Sequence, residues 1–319
     1  MSILITGGAG YIGSYINQML CKKGFKTIIL DNLSKGIRNN ISQGIFIKGD
    51  INDSKLLDEI FTEHDVDSVM HFAAAKDVGE SVERPDFYYQ NNVCGTINLL
   101  NAMARNSIKS FIFSSSAATF GMPKHKLIKE DHDQIPINPY GNSKLIVEKI
   151  VPDYEHAFGI KYCSLRYFNA AGGDPKEEFK SKDIHSNNIV PILIRCQEND
   201  NPFTIFGTDY DTADGTCVRD YVHIDDLGQA HILALEYLQK GKPSGNYNLG
   251  NGRGYSVRDV INSAEKVMKT KLKIIEGPRR EGDPSILICD ASKAIQELGW
   301  KPQYGDVDKI FEHQWKSSL

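Results

Sequence analysis

Short apolar runs alternate with longer stretches of mixed polarity through the first half of the chain. Residues 3–6, 27–30, 45–48, 68–72, 110–114 and 162–167 are brief and continuously apolar. That is the pattern of parallel strands buried on both faces. The intervening stretches 11–23, 54–64, 87–105 and 140–158 read as helices. Strict alternation of this kind predicts a doubly wound parallel sheet joined by right-handed crossovers. The second half is less regular. Residues 172–186 are polar, lack apolar periodicity and read as a loop or boundary. A helix over 188–198, a strand over 202–206 and a turn-rich stretch over 207–215 follow. Further helices are predicted over 225–239, 257–268, 292–298 and 307–315, giving a smaller α/β domain. No internal repeat is visible.

Composition narrows the partners. The 319 residues are 40% hydrophobic and 24% charged, with a formal net charge of −4. A strongly basic nucleic-acid footprint is excluded as the main theme. No apolar run approaches the roughly 18 residues of a transmembrane helix. The first strand runs straight into glycines, so the chain is expected to open on structure and not on a secretory segment. Six cysteines are scattered with no metal-ligand spacing. They are expected to be reduced thiols of a cytoplasmic protein, with no metal site.

The first chemical signal follows the first predicted strand. Gly7, Gly10 and Gly13 form a G-x-x-G-x-x-G turn that opens the first helix. Gly7 allows the tight turn, Gly10 lets a pyrophosphate approach the backbone, and Gly13 lets the helix pack closely on the sheet. Exposed amides and the helix dipole at such a turn favour phosphate. Asp31 closes the second strand, 18 residues after Gly13. A carboxylate there accepts hydrogen bonds from an adenosine ribose and repels a 2′-phosphate, which favours NAD over NADP. Lys35 and Arg38 nearby read as a solvated loop. Asp50 and Ile51, after the third strand, are placed to bracket the adenine, or Asp50 caps the next helix.

The second signal is Tyr140 with Lys144, one helical turn apart on a single face. An ammonium beside a phenol favours phenolate, so the tyrosine is a candidate general base with a lowered pKa. The fifth strand ends in Ser114-Ser115-Ser116, hydroxyls at the end of a parallel strand where such sheets bind ligands.

With these residues on one chain, the sequence resembles the extended short-chain dehydrogenase/reductase family, and within it the nucleotide-sugar 4-epimerases. The likeness runs over nearly the whole length. It includes His71-Phe72-Ala73-Ala74-Ala75-Lys76, Val78-Gly79-Glu80-Ser81, Pro139 to Lys144 and Leu165-Arg166-Tyr167-Phe168-Asn169. More specific are Phe206-Gly207, Asp214-Gly215-Thr216, Val218-Arg219-Asp220-Tyr221 and Arg279-Arg280-Glu281-Gly282-Asp283. The resemblance implies a Rossmann-type NAD-binding domain over 1–170 and a UDP-sugar domain over 171–319, with a segment near 216–240 returning to the first. It implies reversible interconversion of UDP-galactose and UDP-glucose. Tyr140 would be the base, assisted by Ser116, while Lys144 holds the nicotinamide ribose and lowers the Tyr140 pKa.

NAD contacts are implied at Tyr11, Ile12, Asp31, Asn32, Asp50, Ile51, Phe72, Ala73, Lys76, Asn91, Ser114 and Phe168. Substrate contacts are implied at Asn169, Asn188, Ile189, Thr204 and Phe206. Arg219 and Arg280 are expected to clamp the diphosphate, whose geometry suits a guanidinium fork. Asp283 is expected on the uridine ribose. Leu287 stands where the family lines the sugar near its 2-position, so tolerance of an N-acetyl group is open. UDP-pentoses and UDP-uronates remain alternatives, as does a silent NAD-binding scaffold. A 4,6-dehydratase needs an acid pair after the active-site hydroxyl, and Ala117-Ala118 stand there instead. Tyr15 and Phe120 replace a histidine and a tyrosine common in the family. A homodimer through helices 87–105 and 140–158 is the family expectation.

Overall fold

The computed structural model describes residues 1–179, 186–280 and 282–318. Part of the polar loop expected over 172–186, and Glu281, lie outside the described residues. In chain order the strands are β1 (Ser2–Thr6), β2 (Lys26–Asp31), β3 (Ile45–Lys48), β4 (Val66–His71), β5 (Ser110–Ser116), β6 (Leu127–Ile128) and β7 (Lys161–Tyr167). They continue as β8 (Asn169–Ala171), β9 (Phe203–Phe206), β10 (Val218–His223), β11 (Gly245–Leu249), β12 (Gly254–Ser256), β13 (Ile274–Gly277) and β14 (Ile286–Cys289). The helices begin with α1 (Tyr11–Lys22), α2 (Ser54–His64), α3 (Val78–Glu83), α4 (Pro85–Tyr88), α5 (Gly95–Arg105) and α6 (Pro139–Phe158). The rest are α7 (Ile189–Glu198), α8 (Ile224–Gln239), α9 (Val257–Met268), α10 (Ser292–Leu298) and α11 (Val307–Ser318).

The chain forms two compact units, each built from several stretches of the chain. The first unit gathers 1–119, 134–166 and 228–247; the second gathers 120–133, 167–227 and 248–319. In the first, seven strands run in the order β3-β2-β1-β4-β5-β7-β11. β1 pairs in parallel with β2 and β4, β2 with β3, and β4 with β5. Every residue of β1 is buried, as a strand covered on both faces requires. Leu4, Ile28, Leu30, Val69, Phe111 and Phe113 pack one core with Leu99, Leu100, Met103, Val147 and Val151 from the helices. The order reverses between β1 and β4, and a sheet of this kind binds ligands beyond the strand ends at that point.

The expected helix over 87–105 is longer and less regular than its pattern. It starts at Pro85, whose fixed φ suits a first helical position, and residues 89–94 form a π-turn before α5. Asn92 in that turn is buried and bonds both the amide and the carbonyl of Ala75. Those fixed bonds, together with one to the Ser143 hydroxyl, account for the extra residue held in the coil. Asn138 caps α6 by accepting from the Gly141 amide, Pro139 opens it, and Gly159 closes it with φ +69°. Asp53, not Asp50, caps α2, accepting from the Leu56 amide at 3.0 Å.

In the second unit, β12-β10-β14-β6 form a sheet that β8 joins by pairing with β10, and β9 pairs in parallel with β13. Leu193, Ile194, Tyr221, Val260, Ile310 and Phe311 are among its core residues. Among the described residues, no helix is long and apolar enough to cross a membrane.

Candidate active site

The glycine turn is built to be approached. Gly7 has φ +71°, and a Cβ there would lie 2.5 Å from the Ala73 amide nitrogen. The turn therefore lies against Phe72 and Ala73 at the end of β4, and the Phe72 amide donates to the Thr6 carbonyl at 2.8 Å. A Cβ on Gly13 would sit 2.5 Å from the Gly7 carbonyl oxygen, so only glycine lets α1 start this close. Gly10 is different: a Cβ there meets nothing nearer than 3.3 Å. Its missing side chain leaves space in front of the helix. No side chain caps α1, and its first turn holds no acid. The first amides of a helix have no internal partner, so this end of α1 suits an anionic ligand.

Asp31 ties this turn to β2. It accepts from the Ala9 amide at 2.9 Å and from the Leu33 amide at 2.8 Å. Burial pushes its pKa up while those two amides pull it down. A carboxylate offers about four acceptor positions, so capacity remains for ribose hydroxyls. Asn32 donates to Asp50 at 2.8 Å, which joins the two strand ends. Burial works to raise the Asp50 pKa, yet bonds from Asn52 and Asn32 hold it below the ordinary carboxylate value. Ile51 is buried beneath Gly95. Arg38 lies over the Phe46 ring at 4.6 Å and donates to the Ile41 carbonyl. It is thus engaged within its own loop, consistent with the preference for NAD. Asn91 donates to Asn92, and Lys76 is exposed. Phe168 is buried in the second unit, its amide donating to the Leu249 carbonyl.

At the end of β5 the serines face alternate ways. Ser116 bonds the Tyr140 phenol and accepts from the Ala118 amide at 3.1 Å. The Ser114 carbonyl accepts from Lys144 Nζ at 2.8 Å. Lys144 lies 6.0 Å from the Tyr140 ring centroid and 5.0 Å from that of Phe113. Tyr140, Lys144 and Ser116 are thus brought together, as the sequence predicts. The expected direction of the tyrosine pKa is not met. Burial raises it, and the bond from Ser116 only partly offsets that. Burial also lowers the Lys144 pKa to about 7, against a smaller raising influence from Glu148, so its opposing charge is only partial near neutral pH. Desolvation penalises both charged forms.

The second unit holds the other predicted residues. Arg219, on β10, pairs with Asp283 and donates to the Val218 carbonyl. These two, expected in separate roles, pair with each other. Arg280 stacks over the Phe206 ring at 4.0 Å, which orients its fork without using its donors. Leu287 lies opposite Arg219 in parallel register. Asn169 donates to the Asp220 carbonyl, Asn188 precedes α7 and donates to the Ala170 carbonyl, and Ile189 packs on the second core. Thr204, in β9, pairs with Ile275 of β13.

Sequence reasoning gave no role to three residues beneath the site. His71 joins Thr6 at 2.6 Å to Thr96 at 2.8 Å. Burial first, and Lys144 second, push its pKa down to about 3, so it stays neutral. Glu148 and Arg166 form a buried ion pair at 2.7 Å. The spacing of Glu148, four residues after Lys144, was the one signal available for it.

Among the described residues no group of His, Cys, Asp and Glu could hold a metal ion. The glycine turn and Asp31 do fit a dinucleotide: uncapped amides, an open approach at Gly10 and spare acceptor capacity stand side by side.

A family model described as GDP-mannose 4,6 dehydratase matches residues 4–312. A UDP-glucose 4-epimerase of Halalkalibacterium halodurans is 46% identical over 99% of this chain and 95% of its own. The crystal structure of a UDP-glucose 4-epimerase from Brucella ovis in complex with NAD superposes with a TM-score of 0.96. It is 40% identical and covers 99% of this chain and 98% of its own. A UDP-Glc/GlcNAc 4-epimerase from Campylobacter jejuni has a TM-score of 0.87 at 39% identity, covering 100% of this chain and 99% of its own. The chain therefore belongs to the UDP-glucose 4-epimerase family of extended short-chain dehydrogenases/reductases.

Proposed function

We propose that this chain interconverts UDP-galactose and UDP-glucose by reversible epimerisation at sugar C4, through a 4-keto intermediate, with NAD as its cofactor. The observation that carries the reading is the Ser116–Tyr140–Lys144 cluster at the end of β5. NAD supplies, when bound, a reversible hydride acceptor for C4. Tyr140 Oη takes the proton of the 4-hydroxyl and later returns it. Ser116 Oγ favours the phenolate by its hydrogen bond. Lys144, held by the Ser114 carbonyl, orients the cofactor ribose and favours phenolate when charged. Net inversion requires the sugar to turn over, so firm anchors belong on the nucleotide. Arg219 and Arg280 are assigned to the diphosphate, Asp283 to the uridine ribose, and Asn169, Asn188, Ile189, Thr204 and Phe206 to the remaining contacts. A dehydratase is disfavoured because Ala117 and Ala118 can neither give nor take a proton.

The test is proton NMR of purified protein with UDP-galactose and no added cofactor. The UDP-glucose anomeric signal is the expected outcome. Tyr140→Phe should lower turnover by about 10²- to 10⁴-fold while bound NAD is retained. An unchanged rate would remove Tyr140 as the base. UDP-N-acetylgalactosamine in the same tube tests the second reading, supported by Leu287, which is smaller than an aromatic beside Arg219. The assembly assigned here is a homodimer through the helices over 87–105 and 140–158, whose Phe87 and Phe158 are 39% and 47% exposed. The six free thiols support a cytoplasmic setting.

A further inference from the structure

Beneath the catalytic pair lies a charged group that the proton transfer does not use. Tyr140, Lys144 and Glu148 recur every four residues on α6, so all three share one face. Glu148 and Arg166 side chains are 2% and 1% exposed. Arg166, on β7, reaches Glu148 with Nε at 3.0 Å and Nη2 at 2.7 Å. Gln134 donates to the same carboxylate at 2.9 Å. The last donor is the Ser115 hydroxyl, at 2.5 Å. Ser115 is the middle residue of the β5 tip. Its neighbours on either side hold the working groups: the Ser114 carbonyl takes Lys144, and the Ser116 hydroxyl takes Tyr140.

We propose that Glu148 is a positioning residue of the epimerase site: fixed by Arg166, it clamps Ser115 and so sets the β5 tip against Tyr140 and Lys144. The bond to Ser115 fixes the backbone at the middle of the tip, and with it the Ser114 carbonyl and the Ser116 hydroxyl on either side. A buried ion pair is weak evidence for stability, since apolar replacements often serve as well. Its place under a catalytic strand tip is better explained by geometry. The carboxylate has a second effect, because it is the charge that works to raise the Lys144 pKa against burial. Losing it would leave Lys144 less charged and Ser116 less well placed. Both changes disfavour the Tyr140 phenolate.

This inference rests on the assignment of Tyr140 as base, and the test separates the two. Glu148→Gln combined with Arg166→Gln leaves no lone buried charge. Tyr140 is titrated by its phenolate absorbance, as the difference between each protein and its Tyr140→Phe counterpart. In the paired variant that titration should move upward by about one pH unit. Its kcat should fall about tenfold or more, with KM for UDP-galactose within about threefold of the parent. A folded variant with the parent's kcat and titration overturns the proposal. Should the paired variant fail to fold, Ser115→Ala decides, since it leaves the ion pair whole. It should lower kcat at least about threefold by removing one charge-assisted bond, and the parent's kcat would overturn the clamp. A shifted titration in a protein that does not epimerise UDP-sugars would instead sink the functional reading and leave the clamp standing.

Discussion

A buried ammonium burdens the protein that carries it, and Lys144 makes that burden measurable. Its pKa is near 7 against an ordinary 10.5. Below pH 7 both folded and unfolded chains hold the proton, and the full cost of charging a buried amine falls on the fold. Between about 7 and 10.5 the unfolded chain binds more protons, so stability rises with pH through that window. Lys144→Met should therefore melt higher than the parent at pH 6, with the gap shrinking by pH 9. Thermal melts of the ligand-free proteins check this; a gap independent of pH would refute it. The same variant should lose most of its turnover. The tyrosine and lysine were legible in the sequence because their relation is local, a spacing of four on one helix. Their pKa directions were not legible, since desolvation depends on what the rest of the fold packs around them. Glu148 and Arg166 were hidden for a related reason: they lie 18 residues apart on different elements.

At the scale of elements, the β1–α1 turn is the part most sensitive to a single methyl group. A Cβ on Gly13 would press on the Gly7 carbonyl at 2.5 Å and on Gly8 Cα at 2.9 Å, both backbone atoms that cannot rotate away. Gly13→Ala should cost about 1–3 kcal/mol by overpacking and should release NAD, read as lower cofactor content after heat extraction. Alanine at Gly24, where nothing lies within 4 Å, is the contrasting control: it tests backbone strain at φ +84° without any clash. The long strands and helices of the first unit follow their apolar patterns closely, because strands covered on both faces write continuous runs. The π-turn at 89–94 was not visible, since an inserted residue barely disturbs the periodicity. Strands β6, β8, β12 and β14 span two to four residues, too few to register a period.

For the whole molecule, the decisive feature is how often the chain changes unit, at 119/120, 133/134, 166/167, 227/228 and 247/248. A fragment ending at residue 170 would lack residues 228–247, which belong to the first unit and include most of its edge strand β11. We expect that fragment to fail to fold cooperatively or retain NAD, as circular dichroism melts and cofactor extraction would report. A fragment with a sharp melt and bound NAD would contradict this. The same itinerary sets a timetable on the ribosome. The cofactor-binding sheet is among the first parts to be synthesised but cannot close until residue 249 has emerged, after about half of the second unit has been made. Vectorial synthesis builds domains from the amino end where it can. Here the nascent chain must hold an open β7 edge through about eighty further residues of translation at roughly 5–20 residues per second, so several seconds of protection from neighbouring chains is part of what this topology demands of the cell.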